Sequence, residues 1–122
     1  MDELINRLVA NVGIDKATAT LAVGAILGFL QSEGPADKVQ SLIDRLPGAD
    51  AAIAAAGNSG GGMSGLFGGG IVALGGKLMG AGLGMGEIQS VARETLTFAR
   101  EKAGSETVDD ITRAIPGLGQ FI

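Results

Sequence analysis

Cysteine, histidine, tryptophan and tyrosine do not occur among these 122 residues, and phenylalanine occurs four times. Disulfides, thiolate or imidazole metal sites and nucleophiles activated by histidine are therefore excluded for this chain. Acid and base chemistry is left to carboxylates and lysines, and the sequence marks out no pair of them. We expect a protein that is not an enzyme and that holds no metal and no cofactor.

The chain also lacks a basic cluster and a positively charged start. Its nine lysines and arginines are dispersed from Arg7 to Arg113 among 13 acidic residues, and the net charge is -4. Because nucleic acids bind to concentrated positive charge, we expect no nucleic-acid partner. The first seven residues, MDELINR, are acidic where a signal peptide is basic, which predicts no export signal and a cytoplasmic location.

The chain is rich in apolar residues that recur at helical spacing. They make up 46% of it, and in most stretches they recur every three or four positions. The run LAVGAILGFL at 21–30 has no polar side chain and is too short to span a bilayer, so it predicts a central buried helix. The predicted helices are a first that ends at Gly13, a second from near Lys16 to Gly34, a third that ends at Pro47, and two more, from Glu87 to Gly104 and from Ser105 to Ile115.

Glycine is concentrated in one part of the chain, with 14 of the 22 glycines between positions 57 and 86. Just before this glycine-rich part, we expect residues 49–56 to form an alanine-rich turn or short helix. Residues 57–65, GNSGGGMSG, have the composition of a flexible linker. Residues 66–83 are apolar except for Lys77, and only burial against the rest of the protein could hold so many glycines in a helix. We expect the Lys77 ammonium to reach water from that helix.

Residues 69 positions apart match over a stretch of 36 residues. The matched pairs include Gly13 with Gly82, Phe29 with Phe98, Val39 with Val108, Leu42 with Ile111, and Pro47-Gly48 with Pro116-Gly117. The match predicts two similar helical units, 1–56 and 71–122, joined by a glycine-rich linker at 57–70. Chance agreement between amphipathic helices is the alternative explanation.

The two units differ at positions that predict packing. Gly24 and Gly28 of the apolar run correspond to Arg93 and Thr97. Small residues four apart allow two helix backbones to approach closely. We therefore predict that the glycine-rich helix of 66–83 packs on Gly24 and Gly28. We also expect the apolar tail LGQFI at 118–122 to dock on the protein.

The methionines and Phe67 are candidates for a second kind of contact. Met63, Met79 and Met85 either form an adaptable apolar surface together with Phe67 or fill gaps in the core. The candidate packing or interaction residues are therefore Gly24, Gly28, Phe67, Lys77, Met79 and Met85.

Two glycine patterns and one acidic cluster do not predict sites. Residues 60–65 fit G-x-G-x-x-G, but they follow alanines and not a strand. Lys77 follows two glycines, yet leucine comes next where a phosphate-binding loop requires serine or threonine. Glu106, Asp109 and Asp110 could bind a cation weakly, but carboxylates in the first turn of a helix are ordinarily solvated and stabilised by the helix dipole.

The first 30 residues, MDELINRLVANVGIDKATATLAVGAILGFL, resemble the opening helical hairpin of the histone-like nucleoid proteins. The likeness ends near residue 30, and no basic β-ribbon arms follow. It therefore implies a dimer-forming hairpin and does not imply DNA bending.

Nearly the whole chain resembles small bacterial helical proteins of a family of unknown function. The stretches that carry this resemblance are LPGAD at 46–50, the glycine-rich centre at 57–86, EIQSVARETLTFAREKAG at 87–104 and IPGLGQF at 115–121. The resemblance implies a fold, and it implies no activity and no functional residues.

These observations predict an all-α protein in which six or seven short helices form one compact bundle from two similar units. We expect a single domain that binds proteins, with a second copy of itself among the candidate partners. The alternative is a membrane-associating protein that uses the apolar glycine-rich segment 66–83.

Overall fold

The computed structural model of the chain describes residues 2–60 and 71–115, with side chains for 2–56 and 74–115. These residues form seven α-helices and contain no strand, which confirms the all-α class. In chain order the helices are α1 (Asp2–Asn11), α2 (Lys16–Glu33), α3 (Ala36–Asp44), α4 (Ala49–Gly60), α5 (Ile71–Gly80), α6 (Met85–Ala103) and α7 (Ser105–Ala114).

The central helix is α2, as its apolar run predicts. It packs against α1, α3, α4, α5 and α6. Eight of the ten residues at 21–30 are buried, and the other two are half-buried. A helix without a polar face is stable in this position because other helices shield it from water on most sides.

The outer helices bury one face each. On α6 the buried residues follow helical spacing and include Ile88, Val91 and Phe98, while the opposite face is exposed. Thr95 belongs to the same buried face and is only 1% exposed, and its hydroxyl has no hydrogen-bond partner in the part of the chain that is described. The amphipathic faces predicted for α1, α3, α6 and α7 are therefore the faces that form the core.

The helix bounds follow the offset of 69 residues. Adding 69 to the bounds of α1, α2 and α3 gives 71–80, 85–102 and 105–113, against observed bounds of 71–80, 85–103 and 105–114. Gly13 and Gly82, which end the first helix of each set, both have positive φ, 85° and 101°. The helices of the two sets thus agree in length to within one residue, and in each set a glycine with positive φ follows the first helix.

One predicted boundary differs from the structure. Instead of a turn or short helix at 49–56, α4 continues to Gly60 and so includes four positions assigned to the linker. Within the predicted helix at 66–83, the described helix α5 spans Ile71–Gly80. Residues 61–70, with Met63 and Phe67, and the tail 116–122 lie outside the described residues.

Candidate interaction surface

The face of α2 that carries Gly24 and Gly28 is covered by α4. A Cβ built on Gly24 would overlap the carbonyl oxygen of Ala52 and would lie 3.0 Å from the Cβ of Ala56. On Gly28 it would lie 3.8 Å from Ile53. The prediction that the glycine-rich helix packs here named the wrong partner.

The short connection between α3 and α4 explains why α4 takes this place. The turn is closed by a hydrogen bond of 3.0 Å from the Ala49 N–H to the Leu46 carbonyl, and Gly48 has a φ of 88°. The chain therefore returns onto α2 directly after α3. The alanines of α4 are small enough for the close approach that Gly24 permits.

No residue that the structure describes covers the outward face of α5. Leu74 and Leu78 anchor this helix in the core, being 4% and 1% exposed. On the other side Gly76 and Gly80, four residues apart, are exposed, and a Cβ on either would meet no atom of the described residues within 4 Å. Met79 lies between them in sequence and is 56% exposed.

Met85, in the first turn of α6, is the second exposed methionine. It is 65% exposed, more than any other large apolar residue whose side chain the structure describes. The turn beneath it is fixed, because the Gly84 N–H donates a hydrogen bond of 2.9 Å to the Glu87 carboxylate. We call Gly76, Met79, Gly80 and Met85 the α5–α6 surface.

Of the remaining two predicted residues, the structure describes Lys77. Lys77 is half-buried on α5 and has no ion pair with any residue that the structure describes. Phe67 lies outside the described residues. The surface therefore consists of two predicted methionines and two glycines that the sequence analysis did not single out.

Two of the three carboxylates of the acidic cluster in α7 form ion pairs with other helices. Asp110 accepts a hydrogen bond of 2.7 Å from Lys38 of α3, and Asp109 accepts one of 3.0 Å from Arg100 of α6. The hydrogen bond from Lys38 lowers the pKa of the Asp110 carboxyl. Within 2–60 and 71–115 no group of three or more acidic residues is arranged to hold a metal ion.

A further ionic contact, which the sequence analysis missed, joins α1 to α6. Both terminal nitrogens of Arg7 donate hydrogen bonds to Glu101, at 2.9 and 3.0 Å. Arg7 and Lys102 also lie 5.5 and 5.4 Å from the centroid of the Phe98 ring, within the range of cation–π attraction. Because Arg7 and Glu101 are 94 residues apart, no local pattern could have paired them.

A shallow groove lies on the exposed side of α6. It has a volume of about 270 Å³, and the described residues that line it are Arg93, Leu96, Thr97 and Arg100. Its floor includes the apolar Leu96, which is 3% exposed, and three side chains that are exposed surround it. We call these four residues the α6 groove.

The lengths and hydropathy of the described helices bear on the membrane alternative. Among them, no single helix is long and apolar enough to cross a bilayer. Only α1 and α2 taken together satisfy the length and hydropathy requirements, and they are bent by 115° relative to each other.

Comparisons with known proteins identify one relationship. A family model described as protein of unknown function VcgC/VcgE (DUF2780) matches residues 1–91. No curated protein and no solved structure matches the chain. The expected relation to a family of unknown function is thereby confirmed. Most of 87–104 and the IPGLGQF motif lie beyond the matched range. The motifs that carry the expected resemblance, and the resemblance to histone-like nucleoid proteins, stay predictions.

Proposed function

We propose that this chain, which belongs to the family of proteins of unknown function VcgC/VcgE (DUF2780), is a non-enzymatic module that binds a second copy of itself through the α5–α6 surface. The observation that carries the proposal is the open face of α5, where Gly76 and Gly80 expose helix backbone on either side of Met79. A helix interior ordinarily avoids glycine, because each one costs about 1 kcal/mol relative to alanine. A contact that needs exposed backbone would account for them.

Glycines four apart suit a contact between two identical helices. Without side chains at Gly76 and Gly80, a second helix can approach until the backbones are in van der Waals contact. In a two-fold symmetric dimer the same face serves both copies, so a flat glycine surface is complementary to itself. The flexible side chains of Met79 and Met85 can then fill the space on either side.

The chemistry of the rest of the molecule supports a role without catalysis. The carboxyl groups with lowered pKa values, Glu101 and Asp110, are each hydrogen-bonded to a cation from another helix. Catalytic carboxyls in enzymes are instead poised toward a cleft where substrate can reach them. These two contribute to helix packing.

Sedimentation equilibrium over a wide concentration range tests the proposal. We expect wild-type protein to dimerise and Gly76→Leu to weaken the dimer by at least about tenfold, because the leucine side chain holds the partner helix away. Ala10→Leu adds the same side chain at an exposed position of α1 and should leave the dimer unchanged. A wild-type protein that is monomeric throughout, or a Gly76→Leu dimer of wild-type strength, would contradict the proposal.

Loss of the dimer in this variant will not reflect unfolding. The new side chain enters open space among the described residues, and leucine has a higher helix propensity than glycine. The thermal midpoint of the Gly76→Leu monomer should therefore equal or exceed that of wild type. A lowered midpoint would show that the substitution damages the fold and would move the test to Met79→Glu.

Membrane association through 66–83 is the second candidate function, supported by the two exposed methionines and the apolar composition of that segment. It predicts that the full chain floats with liposomes in a density gradient and that Met79→Glu with Met85→Glu abolishes flotation. A self-associating module remains in the soluble fraction in both cases. The two functions are therefore separated by one measurement.

A further inference from the structure

The first set of helices, α1–α3, and the second set, α5–α7, pack on each other reciprocally. Helix α1 packs on α6, and its counterpart α5 packs on α2. The counterparts α2 and α6 pack together, as do α3 and α7, and α3 also packs on α6. Apart from the contact of α3 with α6, the offset of 69 converts these pairings into one another. Such reciprocity is the pattern of a two-fold symmetric dimer, in which the same surface serves both subunits.

This interface between the sets contributes to the core of the molecule. Helix α2 has no polar side chain from 21 to 30, and α5 and α6 of the second set are two of the helices that bury it. A first set without a second set would expose this apolar surface to water, which is unfavourable. Each set is therefore stabilised by a partner set, and the contacts do not depend on which copy of the chain supplies it.

Two hydrogen-bonded ion pairs cross the interface. Arg7 of the first set pairs with Glu101 of the second at 2.9 Å, and Lys38 pairs with Asp110 at 2.7 Å. The partners are 94 and 72 residues apart in sequence. Both pairs can form between two chains as well as within one, and they identify which chain supplies each set.

We propose that two copies of this chain exchange their sets when they fold together at high concentration, so that α1–α4 of each copy pack on α5–α7 of the other. Helix α4 stays with the first set, because it packs on α2 and α3. In sequence the two parts are separated by 61–70, where six of ten residues are glycine, the composition of a linker.

Concentration decides between the two forms. The exchanged dimer keeps the packing of the first set on the second, and it gives up the high effective concentration of two sets on one chain, which is on the order of 1 mM for a flexible connection. Exchange should therefore become extensive near that concentration. It differs from dimerisation through the α5–α6 surface, which leaves the two sets of each chain paired with each other.

Cross-linking of wild-type protein tests the exchange. Equal amounts of unlabelled protein and protein labelled with heavy nitrogen are unfolded in urea, mixed and refolded together at about 1 mM, and the dimer is isolated. A carbodiimide then joins the Lys38 amine to the Asp110 carboxylate as an amide and takes up the water that is released. We expect about half of the linked peptide pairs to contain both isotopes, because half of the randomly formed dimers contain one chain of each kind.

Protein refolded at about 1 μM is the control, and its linked peptides should carry a single isotope. The same result in the dimer refolded at high concentration would overturn the proposal, since its sets would then be paired within each chain. Refolding at high concentration that gives no dimer would overturn it as well.

Charge complementation provides a second measurement. One variant carries Arg7→Glu and Lys38→Glu, and the other carries Glu101→Arg and Asp110→Lys, so that like charges meet across the interface within each chain. Exchange between the two variants restores opposite charges at every pair. Refolding the variants together should therefore give at least about a tenfold excess of heterodimer over either homodimer.

Gly76→Leu, added to each chain, keeps dimerisation through the α5–α6 surface out of this measurement. The matched control is one chain with all four charge substitutions. It restores both ion pairs within itself, and its exchange with wild type would bring like charges together, so these two chains should form no excess of heterodimer. Equal amounts of heterodimer and homodimers from the complementary variants would contradict the exchange.

Discussion

Position 24 requires glycine because of the neighbouring helix α4, and not because of its own backbone angles. Its φ lies outside the left-handed region, so any residue can adopt this conformation within α2. The constraint is that the backbone of α4 occupies the volume of a side chain at this position. Gly28, one turn later, faces Ile53 at an ordinary van der Waals distance. Two glycines that look equivalent in sequence thus differ in whether a larger side chain can replace them.

We predict opposite effects of alanine at these two positions. Gly24→Ala should lower the free energy of unfolding by about 2 kcal/mol, since α4 must move away and the packed core resists overfilling. Gly28→Ala should raise it by up to about 1 kcal/mol through helix propensity, because the added methyl fits. Urea unfolding followed by circular dichroism measures both. Equal effects of the two substitutions would show that α4 does not approach α2 as described.

The sequence supports part of this distinction and cannot supply the rest. The spacing of Gly24 and Gly28 in an apolar run predicts a close helix contact, and at Gly24 such a contact exists. Which helix makes it depends on the path of the chain after α3. Both the alanine-rich and the glycine-rich segments have small side chains, so composition does not choose between them. The positive φ of Gly48 and the short turn it allows decide the matter.

Among the helices, α5 shows how burial maintains an unfavourable sequence. It contains Gly75, Gly76 and Gly80, yet it is helical because Leu74 and Leu78 are fixed in the core. At its end Gly82 has a φ of 101°, which reverses the chain toward α6. Glycine therefore has two roles between positions 75 and 82: inside the helix it weakens the structure, and after the helix it permits the turn.

Alanine substitutions separate these two roles. We predict that Gly76→Ala raises the free energy of unfolding by about 1 kcal/mol, because the helix gains propensity and the methyl meets no described atom. Gly82→Ala is the matched control: its Cβ also enters open space, but the left-handed conformation should cost about 1 kcal/mol. Measurements at protein concentrations too low for dimerisation keep the comparison free of association. If both substitutions stabilise the protein, the turn at Gly82 is not as described.

How well each helix could be predicted from the sequence depends on how clearly its apolar residues mark one face. The helices α1, α3, α6 and α7 each have a polar and an apolar face, and their existence and buried sides were predictable from spacing alone. The length of α4 was not, since alanines lack the contrast between faces that marks a helix in sequence. The α6 groove was not predicted either, because the sequence pattern of an amphipathic helix does not show which parts of its exposed side other segments cover.

For the whole molecule, ion pairs between distant helices connect the two sets of three. Arg7 joins α1 to α6 through Glu101, and Lys38 joins α3 to α7 through Asp110. Each pair links a helix of the first set to a helix of the second. The hydrogen bond from Arg7 lowers the pKa of Glu101 and the hydrogen bond from Lys38 lowers that of Asp110, from ordinary values of 4.5 and 3.8. Stability must therefore depend on pH in a defined direction.

A carboxyl whose pKa is lowered by folding stabilises the protein above its ordinary pKa, and this stabilisation is lost as the pH falls through the lowered value. We predict that the urea midpoint is constant between about pH 6 and pH 7, where no histidine is present to titrate, and that it falls below about pH 5. Glu101→Gln should lower the midpoint at pH 7 and flatten the fall, so that variant and wild type converge in acid. Glu33→Gln, at an exposed carboxyl without an ion pair to any described residue, is the control and should keep the wild-type profile. Parallel profiles for Glu101→Gln and wild type would mean that the contact between α1 and α6 does not depend on the charge of Glu101.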